Sequence, residues 1–102
     1  MRKVINRKLY DTDTAEKIGD WKSCCDRGNF RYCSETLYRK RTGELFLHGE
    51  GHGLSPYGKT YVDGMRGWGE TIEPLSQDAA RDWVEEHLDA DDYEKLFGPV
   101  EE

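Results

Sequence analysis

Five side chains of the sequence have the chemistry of zinc ligands, and all lie between residues 24 and 52. They are Cys24, Cys25, Cys33, His48 and His52. Their number would suffice for tetrahedral zinc, but adjacent cysteines lack the C-x2-C spacing that points two thiolates at one ion. A zinc-binding protein is therefore only the last of three alternatives, and the sequence predicts no metal site and no cofactor.

The same thiols, with His48 or His52 as a base, have the residue types of a nucleophilic triad. No local signature accompanies them, and almost any chain of 102 residues offers one Cys, one His and one acid. An odd number of cysteines is also a poor disulfide framework, so free thiols are expected. We predict that the protein is not an enzyme.

A glycine-rich segment, residues 49–69, contains seven glycines. It lacks both the G-x-x-x-x-G-K-[ST] spacing and a G-x-G-x-x-G run between a strand and a helix, so it does not match a known phosphate-binding loop. We predict a long loop or an irregular hairpin. Because long ordered loops are often functional, Tyr57, Tyr61 and Trp68 could enclose a small, nucleotide-like molecule. Binding of such a ligand is the main alternative function.

Negative charge is concentrated near the end of the chain. Residues 1–50 hold 11 Lys/Arg and 8 Asp/Glu, whereas residues 51–102 hold 4 and 13. This balance opposes direct nucleic-acid binding, which needs a continuous basic face, and favours a protein partner with a basic surface. Acidic helices could imitate backbone phosphates and occupy a groove that binds nucleic acid. The predicted partner-binding residues are Asp78, Asp82, Glu85, Glu86, Asp89, Asp91 and Asp92.

Two predicted helices would present this acid. Ser76 is a good N-cap, and apolar residues then recur with the spacing of one buried helical face: Ala80, Trp83, Val84, His87 and Leu88. Asp89 and Asp92 begin a second helix, which Gly98 and Pro99 end. Its apolar side comprises Tyr93, Leu96 and Phe97. The apolar stripe should pack on a sheet while the carboxylates face water.

The remaining pattern predicts strands and one further helix. Strands are expected at residues 3–5 and 9–11 around a turn at Asn6 and Arg7, at 36–39 and 44–48 around Gly43, and at 70–75. Large apolar side chains on both faces of residues 44–48 predict a strand that is central or covered on each side. A short helix is expected from Asp13 to about residue 22, because Ala15, Ile18 and Trp21 follow helical spacing.

The sequence thus predicts one α+β domain over residues 1–102, in which C-terminal helices pack on a small antiparallel β-sheet of hairpins. No apolar run approaches the ~18 residues that span a bilayer, and the first residues lack the apolar core of a secretory signal. A cytoplasmic location and no membrane partner are expected. The oligomeric state is left open.

The chain contains the stretches YCSETLYRKRTGELFLHGEG and GWGETIEPLSQDAARDWVEEHLDADDYEKLFG. These two stretches resemble a family of small uncharacterised proteins carried by phages and conjugative elements of gut Firmicutes. The shared features are a Leu-Tyr-Arg hairpin, a Gly-rich middle, and an Ile-x-Pro-Leu-Ser entry to a Trp-bearing helix that ends near Phe-Gly. The resemblance implies an inhibitor of host defence, such as an anti-CRISPR protein, with a CRISPR effector or another basic, nucleic-acid-handling host protein as partner.

Overall fold

The computed structural model describes residues 1–23 and 26–101. Within these ranges the chain forms eight strands followed by two helices. The strands are β1 (Arg2–Ile5), β2 (Lys8–Asp11), β3 (Glu16–Lys22), β4 (Cys33–Arg39), β5 (Leu45–Gly51), β6 (Lys59–Thr60), β7 (Arg66–Gly67) and β8 (Gly69–Leu75). The helices are α1 (Gln77–His87) and α2 (Ala90–Phe97). The α+β class that the sequence predicts is confirmed.

The main sheet has the strand order β3-β4-β5-β8, and every pair in it is antiparallel. The strand β5 lies in the middle, where Leu45, Phe46 and Leu47 are all buried. Successive side chains of a strand point to opposite faces, so large apolar residues on both faces require cover on both sides. The predicted central position of this strand is therefore confirmed.

Each face of the main sheet is covered by a different part of the chain. One face packs against α1 in a core cluster of Leu37, Leu45, Leu47, Ala80, Trp83 and Val84. The hairpin β1–β2 covers part of the opposite face, in a second cluster of Tyr10, Phe46 and Ile72. We call the first the helix face and the second the hairpin face. The hairpin packs on the part of this face around Phe46 and Ile72.

The helix predicted from Asp13 onward is wrong, because these residues end in strand β3. In this strand Lys17 pairs with Tyr38 but Gly19 pairs with Leu37, so Ile18 is the extra residue of a bulge. A bulge moves a strand's side chains out of simple alternation. It allows Ile18 and Trp21, three residues apart, to pack on the same helix-face cluster. An irregular strand thus reproduces helical spacing.

The glycine-rich segment is partly strand and partly packed loop. The strand β5 continues through Gly51, and β6 and β7 form a small hairpin. Between them, Arg66 donates from Nε to the carbonyl of Gly53 at 2.7 Å and from its guanidinium to the carbonyl of Gly58 at 3.1 Å. The irregular hairpin predicted for residues 49–69 describes this segment better than a continuous loop does. No helix in the described residues is long and apolar enough to cross a membrane.

Candidate protein-binding surface

The helix α1 carries apolar residues on one side and acidic residues on the other. The hydroxyl of Ser76 accepts a hydrogen bond from the backbone N–H of Ala79 at 3.1 Å and so caps the helix as predicted. The residues Ala80, Trp83 and Val84 are buried on the helix face of the sheet. An α-helix has 3.6 residues per turn, which places three acidic residues on the side of α1 opposite the buried ones. The exposed acids on this side are Asp78, Asp82 and Glu85, with Glu86 beside them.

The second helix continues the acidic surface. The carboxylate of Asp89 accepts from the backbone N–H of Asp92 at 3.0 Å, so Asp89 is the N-cap of α2. This backbone hydrogen bond holds the pKa of Asp89 below its ordinary value, although partial desolvation opposes the shift. Asp91 is exposed and Asp92 half-buried in the first turn. Asp89 is therefore a structural residue as well as a member of the surface.

The seven predicted contact residues lie on α1, at the N-cap of α2 and in its first turn, where the positive charge of Lys95 also acts on Asp89. In the described ranges, no Lys or Arg nitrogen lies within 4.0 Å of their carboxylates, and Glu86 has only the imidazole of His87, at 3.9 Å. Some acids elsewhere are paired, as in Arg39–Glu16 at 2.8 Å, whereas others, such as Asp13 and Glu73, form no ion pair among the described residues. Asp78 and Asp82 are four residues apart on one helical face, a spacing at which like charges repel. We call these seven residues the acidic surface.

A cleft of about 280 Å³ opens where the two helices meet. Its lining combines apolar and acidic side chains: Glu85, Leu88, Asp89, Ala90, Tyr93, Glu94 and Val100. Lys and Arg carry a charged head on an aliphatic stem that packs well on apolar surface. The cleft between the helices thus combines an apolar lining with three acidic residues.

Glu35 lies beneath α1 and has three polar neighbours. The indole N–H of Trp83 donates to Glu35 Oε1 at 3.1 Å, and the hydroxyl of Tyr57 donates to Glu35 Oε2. The imidazole Nε2 of His87 lies 4.0 Å from Oε1. Burial, followed by the hydrogen bond to Glu35 and its negative charge, raises the pKa of Tyr57. The carboxylate thus joins strand β4, the glycine-rich segment and α1.

The three ring residues suggested for a ligand site are engaged within the protein. The ring of Tyr57 packs over the backbone of Gly49, where a Cβ would overlap it, and its hydroxyl is held by Glu35. Tyr61 donates its hydroxyl to the carbonyl of Trp68 at 2.6 Å. The indole of Trp68 stacks on Tyr32, with centroids 6.0 Å apart, and the Arg27 guanidinium lies 4.5 Å from its centre. These contacts bring Tyr61 and Trp68 together and direct Tyr57 towards α1.

The zinc ligands suggested by the sequence do not converge in the part of the chain that the structure describes. Cys33 pairs with Gly51 and His48 pairs with Thr36, so the two side chains point to opposite faces of the sheet. His52 accepts from the backbone N–H of Gly53 at 2.8 Å, and its ring contacts Phe30. Cys24 and Cys25 lie outside the described residues.

The thiol of Cys33 is a poor candidate for a nucleophile. It is buried, and burial together with the neighbouring charge of Glu35 raises its pKa, while a hydrogen bond with Ser23 acts in the opposite direction. A raised pKa favours the thiol over the reactive thiolate. Free cysteines in a protein core usually have a structural role and are unreactive, and the surroundings of Cys33 agree with such a role.

No protein-family model, no curated protein and no solved structure matches this chain. The resemblance to proteins of mobile elements therefore stays a prediction from the sequence.

Proposed function

We propose that this is a non-enzymatic binding protein whose acidic surface occupies a basic groove on a protein that handles nucleic acid. In this proposal it acts in the cytoplasm, and the partner belongs to host defence, as a CRISPR effector does. The observation that supports it most directly is that the seven carboxylates of the surface have no Lys or Arg partner among the described residues. Exposed carboxylates that form no such pair are available to an external cation, and Asp78 and Asp82 in addition repel each other.

The spacing of the acids supports imitation of one nucleic-acid strand better than imitation of a duplex. Asp78, Asp82, Glu85 and Glu86 fall within one stretch of α1. At 1.5 Å per residue this stretch is about 12 Å long. A single strand carries about four charges over that length and a duplex about seven. Four carboxylates therefore match a groove that tracks one backbone strand.

The cleft between the helices gives the proposed surface a specific contact. Glu85, Asp89 and Glu94 surround an apolar floor that includes Tyr93. An Arg of the partner could place its stem on this floor and its guanidinium among the carboxylates. Grooves that bind nucleic acid are rich in such side chains. We expect one basic side chain of the partner to enter this cleft and the others to contact Asp78 and Asp82.

Affinity capture from the native host with wild-type protein and two charge-reversed variants tests the proposal. The test variant, Asp82→Lys with Glu85→Lys, changes two exposed residues and avoids the capping residue Asp89. The control variant, Asp13→Lys with Asp20→Lys, has the same change in charge away from the two helices. Asp20 loses only a surface pair with Lys17, which contributes little to stability.

The wild type and the control should retain a nucleic-acid-binding protein, and the test variant should lose it. Added nucleic acid should displace that protein from the wild type, and raised salt should weaken the complex because the contact is between charged surfaces. Thermal unfolding of all three proteins checks that the loss is not a loss of fold. Capture that survives in the test variant, or that nucleic acid does not compete, would show that the proposal is wrong.

A further inference from the structure

The hairpin face of the main sheet also carries, next to the cluster of Tyr10, Phe46 and Ile72, three side chains that can ligate a metal ion. They are His48 and Glu50 of β5 and Glu70 of β8. One ligand atom from each lies within 4.8 Å of the other two. The imidazole Nε2 of His48 is 2.9 Å from Glu70 Oε2. This group is separate from the acidic surface, which lies on the helices.

The pairing of the two strands brings these side chains together. His48 and Glu50 are two residues apart in β5 and therefore point to the same face. Glu50 pairs directly with Glu70, whereas His48 pairs with Ile72 and so is diagonal to Glu70. Directly paired residues in antiparallel strands have Cβ atoms about 5 Å apart. Both strands belong to the main sheet, so the three side chains project from backbone fixed by ladder hydrogen bonds.

Glu50 and Glu70 form an unfavourable pair unless a cation lies between them. Like charges directly opposite in neighbouring strands destabilise a sheet. Arg27 compensates in part, since its guanidinium is 3.6 Å from Glu50 Oε1, but the arginine side chain is 67% exposed. Glu70 has only the imidazole of His48 among the described residues. A dication bound by both carboxylates would convert the repulsion into attraction.

The ligand set indicates the class of ion. Ca²⁺ and Mg²⁺ prefer all-oxygen sites, whereas one imidazole with two carboxylates suits Zn²⁺ and its neighbours in the first transition row. Three protein ligands leave at least one coordination position free. The side chains of His48, Glu50 and Glu70 are 16%, 23% and 47% exposed, so an ion can reach them from solvent. The site is open, unlike the closed four-ligand sites that stabilise folds.

We propose that His48, Glu50 and Glu70 form a site for a first-row divalent transition-metal ion such as Zn²⁺. It differs from the cysteine-based zinc hypothesis in its ligands and shares only His48 with it. It does not depend on the proposed partner, because its residues are on β5 and β8 and the acidic surface is on α1 and α2.

Calorimetric titration of Zn²⁺ into chelator-treated protein tests the site. Wild type should bind one ion through it, and Glu70→Gln, which keeps the shape of the side chain, should bind more than about tenfold more weakly. Loss of a mere outer-shell partner already costs 10–100-fold. Glu73→Gln, an exposed acid on the same strand, is the control and should bind as the wild type does. Binding unchanged in Glu70→Gln, or absent from the wild type, would overturn the proposal.

Two further measurements distinguish this site from zinc binding by cysteines and from non-specific binding at exposed acids. Zn²⁺ should raise the unfolding temperature of the wild type more than that of Glu70→Gln at the same concentration, because only the folded wild type offers the complete site. Glu70→Gln without metal should unfold at or above the wild-type temperature, since it removes the repulsion with Glu50. Co²⁺ should give visible absorption typical of nitrogen and oxygen ligands. A strong thiolate-to-cobalt band would instead assign the ion to cysteines and refute the site.

Discussion

Glu35 and Asp82 carry the same functional group on the two sides of α1, but their surroundings differ completely. Glu35 lies between the sheet and the helix, where Trp83 and Tyr57 donate to its two oxygens. Asp82 lies on the outer side of the helix with like charges one turn away and no Lys or Arg partner within 4.0 Å in the described ranges. Glu35, the inner carboxylate, thus has hydrogen-bond donors from its own chain. Asp82, the outer one, has no ion pair with any described Lys or Arg.

This contrast separates structural acids from acids available for binding. A buried carboxylate without partners is costly, so the fold must provide hydrogen bonds to Glu35. Exposed carboxylates are hydrated and impose no such requirement, which allows them to accumulate in one place. Substitutions on the inner side of α1 should therefore change stability, and substitutions on the outer side should change binding. Three predictions test this division.

The largest effect is expected for Trp83→Ala. This substitution leaves a cavity in the helix-face cluster and removes the indole donor to Glu35. Loss of a buried tryptophan typically costs about 3–5 kcal/mol of unfolding free energy, measured by urea denaturation. The control Trp83→Phe keeps most of the ring and should recover more than half of the loss. A cost under about 1 kcal/mol for Trp83→Ala would contradict the buried position of the ring.

Tyr57→Phe should have an intermediate and pH-dependent effect. Removing a donor to a charged acceptor costs about 1–3 kcal/mol at neutral pH. Because the folded protein raises the pKa of Tyr57, the contribution of its hydroxyl is complete below about pH 10, where the unfolded tyrosine ionises, and decreases above that pH. The stability difference between wild type and Tyr57→Phe should stay constant up to about pH 9 and narrow between about pH 10 and about pH 11. A constant difference would mean that the hydroxyl does not ionise differently in the two states.

Asp78→Asn with Asp82→Asn should have the smallest effect on stability. The change removes a repulsion between residues four apart and also the favourable interaction of Asp78 with the N-terminus of α1, so the unfolding free energy should stay within about 0.5 kcal/mol of wild type. Added salt, which screens the repulsion, should stabilise the wild type more than this variant. As a contrast, Glu16→Gln breaks the pair with Arg39 at 2.8 Å and should not be stabilising. A marked loss for the double variant would assign the outer acids to the fold.

The elements with the clearest local signals could be predicted from the sequence. The caps at Ser76 and Asp89, the apolar stripe of α1 and the central strand β5 each depend on neighbouring residues alone. The strand β3 resembles a helix in its sequence because its bulge places Ile18 and Trp21 on one face. A bulge depends on pairing with a partner strand, which periodicity within one segment does not reveal.

The polar clusters around Glu35 and Glu70 could not be predicted from the sequence, because they form by contacts between segments that are far apart in the chain. Glu35 lies two residues before Leu37 in β4 and therefore points to the same buried face. This spacing could have indicated that Glu35 is an acid that points into the protein. Its donors are 22 and 48 residues away in the chain, however, so they could not be assigned without the fold. The grouping of Glu50 with Glu70 likewise depends on the register of β5 with β8. The acidic surface could be proposed from the sequence because its residues are close to one another in the chain.

The shared attachment at Glu35 limits how far the chain can be shortened and whether its acidic surface can be transferred to another protein. Its two carboxylate oxygens hold α1 and the glycine-rich segment to the same strand. The helix has 11 residues, a length at which an isolated helix in water is marginal. A peptide of the C-terminal helices would carry the charges without their arrangement. Grafting this surface onto another scaffold would require the sheet beneath it as well.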